Sequence, residues 1–348
     1  MPTENWLFVN VKVDVQSDKL REVHIITGVI TLKVLVGALI TDKFKEDLVN
    51  EFSDIDFLFG QSEQEEINLV EDADIYMGNI TREIFLASKK IRWIQCPGTG
   101  IDKIMSIPEI IDSDVVVTNS RGPHTEPMAD HGMAMILTFA HRLRDLWEDQ
   151  KQHKWDLPFY DEKMIELNGS TMGILGVGGI GSAVGRRAAA FGIDVYGIDI
   201  DKNSGGPGVK EIWGLDRLDE LLQMSDWFVV SVPYTSETDN LLDITHLKHL
   251  KRGGRLIVLS RGGIVNQSDV LELLENGSMS GAGFDVTDIE PLPQNDPLWS
   301  HPEVLISPHV SALTSEMWDG RREIFKENLR RYLSNRAFLY VCDKTAGY

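Results

Sequence analysis

From Leu32 the chain reads LKVLVGALI, a nearly unbroken apolar run rich in branched side chains. A strand with one wet face alternates apolar and polar positions, whereas a parallel strand covered on both faces does not. The run therefore predicts a buried parallel strand. Shorter runs of the same kind recur at Asp56–Phe59, Ile75–Met77, Ile91–Ile94 and Val115–Thr118, and the polar segments 61–72 and 79–90 between them read as crossover helices or loops. Residues 32–120 thus predict one α/β unit.

A second series begins after Leu167, with buried strands expected at Thr171–Leu175, Val195–Asp199, Trp227–Ser231, Arg255–Leu259 and Gly281–Asp285 and helices between them. Between the two series, Pro127 to about Gln150 predicts one long helix, with proline in its first turn and Met128, Ala129, Met133 and Leu137 along it. From Ser315 to about Asn335, Met317, Trp318, Ile324, Phe325, Leu329 and Leu333 recur near helical spacing, which reads as a second connector or a return to the first unit. Ahead of the first strand, Trp6–Val15 and Val23–Ile30 alternate like the arms of an antiparallel hairpin. The stretch Gly205-Gly206-Pro207-Gly208 marks a loop.

At 348 residues, the chain suits two cores rather than one, and 42% hydrophobic with 25% charged residues describes packed globular structure. Acidic residues outnumber basic ones by 54 to 34, and a net charge of -20 repels nucleic-acid phosphates and anionic headgroups. Neither nucleic acid nor membrane is an expected partner. A small anion is not excluded, because one arginine and a few backbone amides set a local potential of their own. Cys96 and Cys342, far apart, form neither a disulfide framework nor a metal-ligand spacing, so no metal is expected. With no apolar run near ~20 residues and no basic-then-apolar leader, a cytoplasmic location is expected.

Residues 172–199 read MGILGVGGIGSAVGRRAAAFGIDVYGID, in which Gly176, Gly178 and Gly181 form G-x-G-x-x-G between an expected strand and an Ala-rich helix. The first glycine allows a tight turn, the second lets backbone approach a pyrophosphate, and the third lets helix pack on strand. Amides near Gly179 and Ile180 would hold the anion at the helix N-terminus. Asp199 follows 18 residues after Gly181 at the end of the next strand, where a carboxylate accepts ribose hydroxyls and repels a 2′-phosphate. NAD is expected ahead of NADP.

Further along stand Arg261 in VLSRGGIVNQSD, Glu290 in GAGFDVTDIEPLP and His309 in LISPHVSA, each after an expected buried strand. Taken singly, Arg261 reads equally as a loop cap, Glu290 as a solvated turn acid and His309 as a satisfied core histidine. Together with the glycine loop, in this order, and with spacings of 29 and then 19 residues, they resemble the D-isomer-specific 2-hydroxyacid dehydrogenase family from about Leu32 to Leu333.

That resemblance implies a fold of two doubly wound parallel-sheet α/β domains, a Rossmann dinucleotide-binding domain (126–309) inserted into a flavodoxin-like substrate domain (1–125 with 310–348). It implies hydride transfer between NAD and C2 of a small 2-keto or 2-hydroxy acid. His309 would pass the proton, Glu290 would hold its ring, and Arg261 would bind the substrate carboxylate and polarise the carbonyl. A carboxylate beside an imidazole favours the charged ring, and a planar guanidinium fork matches a carboxylate. In CPGTGIDKI (96–104), the amides of Gly98, Thr99 and Gly100 would complete the carboxylate site. Asp285 would accept from the nicotinamide carboxamide, with Val232 and Ser260 lining adenosine and nicotinamide ribose. Hinges at Gly122–Glu126 and His309–Leu313 and a homodimer built through the nucleotide domains are also implied. The run Val258-Leu259-Ser260 departs from the family's Asn-Thr-Ala-like pattern. Two other functions share the fold: an NADH-sensing interaction protein of the corepressor type, and formate or phosphite oxidation.

Overall fold

The computed structural model describes residues 31–345 except Leu39 and Ser204, so the hairpin expected over Trp6–Val15 and Val23–Ile30 lies outside the described residues. Five strands, β1 (Leu32–Val36), β2 (Ile55–Phe59), β3 (Ile75–Met77), β4 (Trp93–Gln95) and β5 (Val116–Thr118), form a parallel sheet in the order β2-β1-β3-β4-β5. Val34, Leu35 and Val36 are completely buried because both faces are covered, which is why their segment shows no alternation.

A second parallel sheet contains β6 (Thr171–Leu175), β7 (Asp194–Ile198), β8 (Val209–Trp213), β9 (Trp227–Val230), β10 (Gly254–Val258), β11 (Met279–Phe284) and β12 (Val304–Ile306), in the order β12-β11-β10-β9-β6-β7-β8. This is the doubly wound nucleotide-binding order, reversing between β6 and β9; the first sheet reverses between β1 and β3. Strands β8 and β12 were not expected from sequence. Both are edge strands, and β8 exposes Lys210 and Glu211.

The single helix expected from Pro127 to Gln150 is instead two, Thr125–Ala140 and Leu143–Lys151. The break falls at Arg142, whose φ is +50° and whose guanidinium donates to Glu303 Oε2 at 2.8 Å and to Asp145 Oδ2 at 2.5 Å. A contact 161 residues away in sequence thus accompanies a turn that local periodicity does not reveal. The last helix, Ser315–Leu333, returns to the first sheet, with the Phe325 and Tyr332 rings each 5.9 Å from Trp93. Val341 then bridges antiparallel to Thr118. The chain therefore leaves the five-stranded sheet, builds the seven-stranded one and comes back, and both crossings start from carboxyl ends of strands. Among the described residues, no helix is long and apolar enough to cross a membrane.

Candidate active site

At the end of β6 the backbone turns through Gly176, whose φ is +89°, into the helix Gly179–Ala190. A Cβ at Gly181 would lie 2.1 Å from the Gly176 carbonyl oxygen, so only glycine lets the helix seat there. A Cβ at Gly178 would meet nothing within 4 Å, and no side chain caps the helix. Open space in front of uncapped helix amides is what a pyrophosphate requires. Asp199 Oδ2 accepts from Val177 N–H at 2.7 Å and Oδ1 from Asp201 N–H at 3.0 Å, which fixes the carboxylate beside the turn while each oxygen keeps a lone pair. Val232 lies against the same turn, 2.7 Å from where a Gly176 Cβ would stand. These residues fit a dinucleotide.

The two glycines predict opposite results for one methyl group. Gly181→Ala should cost about 2 kcal/mol or more of stability, from a clash with backbone that cannot yield. Gly178→Ala should leave the melting temperature unchanged and weaken dinucleotide binding at least tenfold, measured by fluorescence titration. Equal stability losses, or unaltered binding by Gly178→Ala, would contradict this assignment.

Beyond β11 and β12, His309 Nδ1 lies 2.8 Å from Glu290 Oε2, and the other Glu290 oxygen accepts from Thr287 N–H at 3.2 Å. With Nδ1 occupied, Nε2 is the nitrogen left for a substrate. His309 itself has φ +55°, held by donation from its own N–H to Asp285 O at 2.8 Å and Ser307 O at 3.0 Å. The left-handed geometry costs a non-glycine residue about 1 kcal/mol, a strain typical of functional positions.

Arg261 reaches across to the first sheet. Its Nη1 donates to Ser260 O at 2.8 Å, its Nε to Asp102 Oδ1 at 3.4 Å, and its Nη2 lies 1.8 Å from where a Cβ on Gly100 would stand. Gly263 N–H donates to Asp288 Oδ1 at 2.7 Å, which ties the arginine segment to the loop carrying Glu290. The 98–100 loop is fixed from behind: Ser120 N–H donates to Gly98 O at 2.8 Å, Asn119 Nδ2 to Thr99 O at 2.8 Å, and Thr99 Oγ1 meets His124 Nδ1 at 2.9 Å. Among the described residues, the N–H groups of Thr99 and Gly100 donate to nothing within the chain, while that of Gly98 reaches the Cys96 sulfur. The loop therefore presents Arg261 and free amides on one side, a fit for a carboxylate.

Asp285 is almost fully buried and already busy: Oδ1 accepts from Ser307 Oγ at 2.6 Å and Val310 N–H at 3.0 Å, and Oδ2 from Ser311 N–H at 3.1 Å. Ser307 Oγ in turn meets His131 Nε2 at 2.8 Å. A carboxamide would find acceptor capacity only on Oδ2. Sequence reasoning left out Asp102 and Ser307, which lie inside the CPGTGIDKI and LISPHVSA segments without being singled out by them, and Asn119 and His131, which belong to no motif. It also left out His124, whose burial, with Arg321, Arg261 and Arg121 nearby, pushes its imidazole down to about 4 and keeps the ring neutral at pH 7.

Six buried side-chain atoms lack hydrogen-bond partners among the described residues. Four of them, Asn119 Oδ1, Ser260 Oγ, Ser311 Oγ and Arg321 Nε, sit on segments bordering this crevice. Buried polar groups are seldom left unpaired, so their concentration here marks a ligand site.

The model of the D-isomer specific 2-hydroxyacid dehydrogenase NAD binding domain matches residues 133–311. A glyoxylate reductase of Korarchaeum cryptofilum is 32% identical over 271 residues, covering 76% of this chain and 80% of the relative. A D-3-phosphoglycerate dehydrogenase of Methanocaldococcus jannaschii is 27% identical over 86% of this chain, which spans 58% of that relative's length. A solved D-isomer specific 2-hydroxyacid dehydrogenase family protein from Aeromonas salmonicida is 26% identical, with a TM-score of 0.81 over 90% of this chain and 99% of its own.

Proposed function

Because the chain belongs to the D-isomer specific 2-hydroxyacid dehydrogenase family, whose members are NAD(P)-dependent oxidoreductases of 2-hydroxy acids, we propose that it reduces a small 2-keto acid to the D-2-hydroxy acid with NADH. The reading rests chiefly on the 2.8 Å His309–Glu290 pair, carried on a loop bound to the Arg261 segment.

The residues that would hold the dinucleotide are Gly176, Gly178, Gly179, Ile180, Gly181, Asp199, Val232, Ser260 and Asp285, and the bound nicotinamide supplies the hydride. Arg261 and the amides of Gly98, Thr99 and Gly100 grip the substrate carboxylate. As hydride reaches C2, the guanidinium stabilises the charge growing on the carbonyl oxygen. His309 delivers the proton to that oxygen from Nε2, while Glu290 holds the ring in orientation and balances its charge. In this reading the seven-stranded sheet belongs to the nucleotide domain, 126–309, and residues up to 125 with those from 310 form the substrate domain. NADH is preferred over NADPH because the Asp199 carboxylate, fixed beside the glycine turn, opposes a 2′-phosphate.

Absorbance at 340 nm with glyoxylate, hydroxypyruvate and branched 2-keto acids, each with NADH and NADPH, tests the proposal. Turnover with at least one acid and a higher kcat/KM for NADH are expected. Tight NADH binding without turnover would favour dinucleotide sensing instead, and consumption of formate or phosphite would favour anion oxidation.

The enzyme works in the cytoplasm as a homodimer in this reading. Leu143, Leu146, Trp147, Trp155 and Leu157 are 46, 36, 61, 95 and 69% exposed, an apolar concentration that a second copy would cover. Trp155→Glu should convert the dimer to a monomer in sedimentation equilibrium without impairing folding. A dimer of undiminished affinity would refute this face.

A further inference from the structure

Arg321 takes no part in the chemistry above. It lies on the helix Ser315–Leu333, in the helical stripe of Met317, Phe325 and Asn328, all of which are buried. Its Nε is buried without a partner, and among the described residues its guanidinium makes no hydrogen bond or ion pair; its Cζ lies 5.0 Å from the Trp318 ring centroid. Other arginines of the chain behave differently: Arg142, Arg187 and Arg330 each meet carboxylates.

Among the described residues, Arg321 has no carboxylate counter-ion. Arg321 is in electrostatic reach of Cys96, His124 and Arg261, at the substrate loop, and the residue before it, Gly320, abuts Pro123. Burial pushes the Cys96 thiol up to about 11, so it carries no charge at pH 7. Asp102 is engaged by Arg261, and Arg121 adds a further cation near His124. A half-buried cation whose Nε has no partner is costly, and an arriving anion offsets that cost.

We propose that Arg321, with Arg121 at the margin, forms a second anion site in the crevice, so that the substrate is a 2-keto acid carrying a second anionic group, a carboxylate or a phosphate. Arg261 takes the C1 carboxylate and Arg321 the distal anion. This rests on the proposed 2-keto-acid reduction and narrows its substrate class.

The test compares wild type with Arg321→Met on pyruvate, oxaloacetate and phosphohydroxypyruvate, followed at 340 nm with NADH. Wild type should prefer one of the dianions, oxaloacetate if the group is a carboxylate and phosphohydroxypyruvate if it is a phosphate. Arg321→Met should lose about 100-fold in kcat/KM on that dianion, mainly through KM, and less than about threefold on pyruvate. Its melting temperature should equal or exceed that of wild type, because the change removes a half-buried charge that has no ion-pair partner among the described residues. Equal losses on all three acids, no loss on any, or a lowered melting temperature would overturn the proposal. If no 2-keto acid is turned over, the reductase reading fails, and calorimetry with malonate and phosphoglycolate against acetate still decides the site. Tighter binding of a dianion, abolished by Arg321→Met, supports it; dianion binding no tighter than acetate, or unchanged by the substitution, overturns it.

Discussion

Replacing His309 with glutamine is expected to lower kcat for 2-keto-acid reduction by about 10³-fold while NADH binds as before, since a positioned general acid is worth ~10²–10⁴ in rate. Glutamine keeps roughly the imidazole's reach and its capacity to hydrogen-bond Glu290, so what it removes is the proton. Dinucleotide titration should be unaffected, because the glycine turn and Asp199 lie at the ends of β6 and β7 while His309 follows β12. Glu290→Gln should cost less, about 10- to 100-fold, as the ring keeps a partner at Nδ1 but loses the negative charge that balances it. Single-turnover absorbance separates the two effects from product release. A glutamine at 309 that retained a tenth of wild-type activity would assign proton delivery to another group.

Arg261→Lys should reduce kcat/KM by about 10²- to 10³-fold, equivalent to roughly 3–4 kcal/mol of lost transition-state stabilisation. The guanidinium divides its nitrogens among Ser260 O, Asp102 and the surface of Gly100. A lysine ammonium, a single point charge, cannot satisfy the first two and still face a carboxylate in the plane that a fork provides. Both kcat and KM should worsen, because in the proposed reaction the residue would grip the carboxylate in the ground state and the carbonyl oxygen's charge in the transition state. Steady-state kinetics on the best substrate check this, and a change in KM alone would reduce Arg261 to a binding residue.

The sequence carried the interior of the fold more clearly than its margins. Buried runs such as Val34–Val36 and Trp227–Val230 were legible because a strand covered on both faces has no polar positions to confuse it. At the edges, β8 is interrupted by Lys210 and Glu211 and β12 has three residues, so neither presents that signal. The break at Arg142 goes with an ion pair to Glu303, a tertiary contact that no local window contains.

The site divides along similar lines. The glycine turn is written in consecutive residues, each with a steric requirement of its own, and so could be read directly. Arg261, Glu290 and His309 gained meaning only as an ordered set, and it is the crossing loops that bring Glu290 to His309 and Arg261 to Gly100. Asp102 sits in the CPGTGIDKI segment without standing out in it, and His124 and Arg321 have no motif at all. They matter through what lies beside them, and a lone arginine within an amphipathic helix looks like solvated surface until its burial and its missing partner are seen.

The most direct test is the crystal structure of the protein with NAD and oxamate, an unreactive 2-keto-acid mimic. The expected density places the oxamate carboxylate against Arg261 and the amides of Gly98–Gly100, its amide carbonyl oxygen within hydrogen-bond distance of His309 Nε2, and its central carbon facing the nicotinamide. Oxamate bound away from Arg261, or a His309 ring turned from the nicotinamide, would contradict a proton and hydride transfer at this crevice.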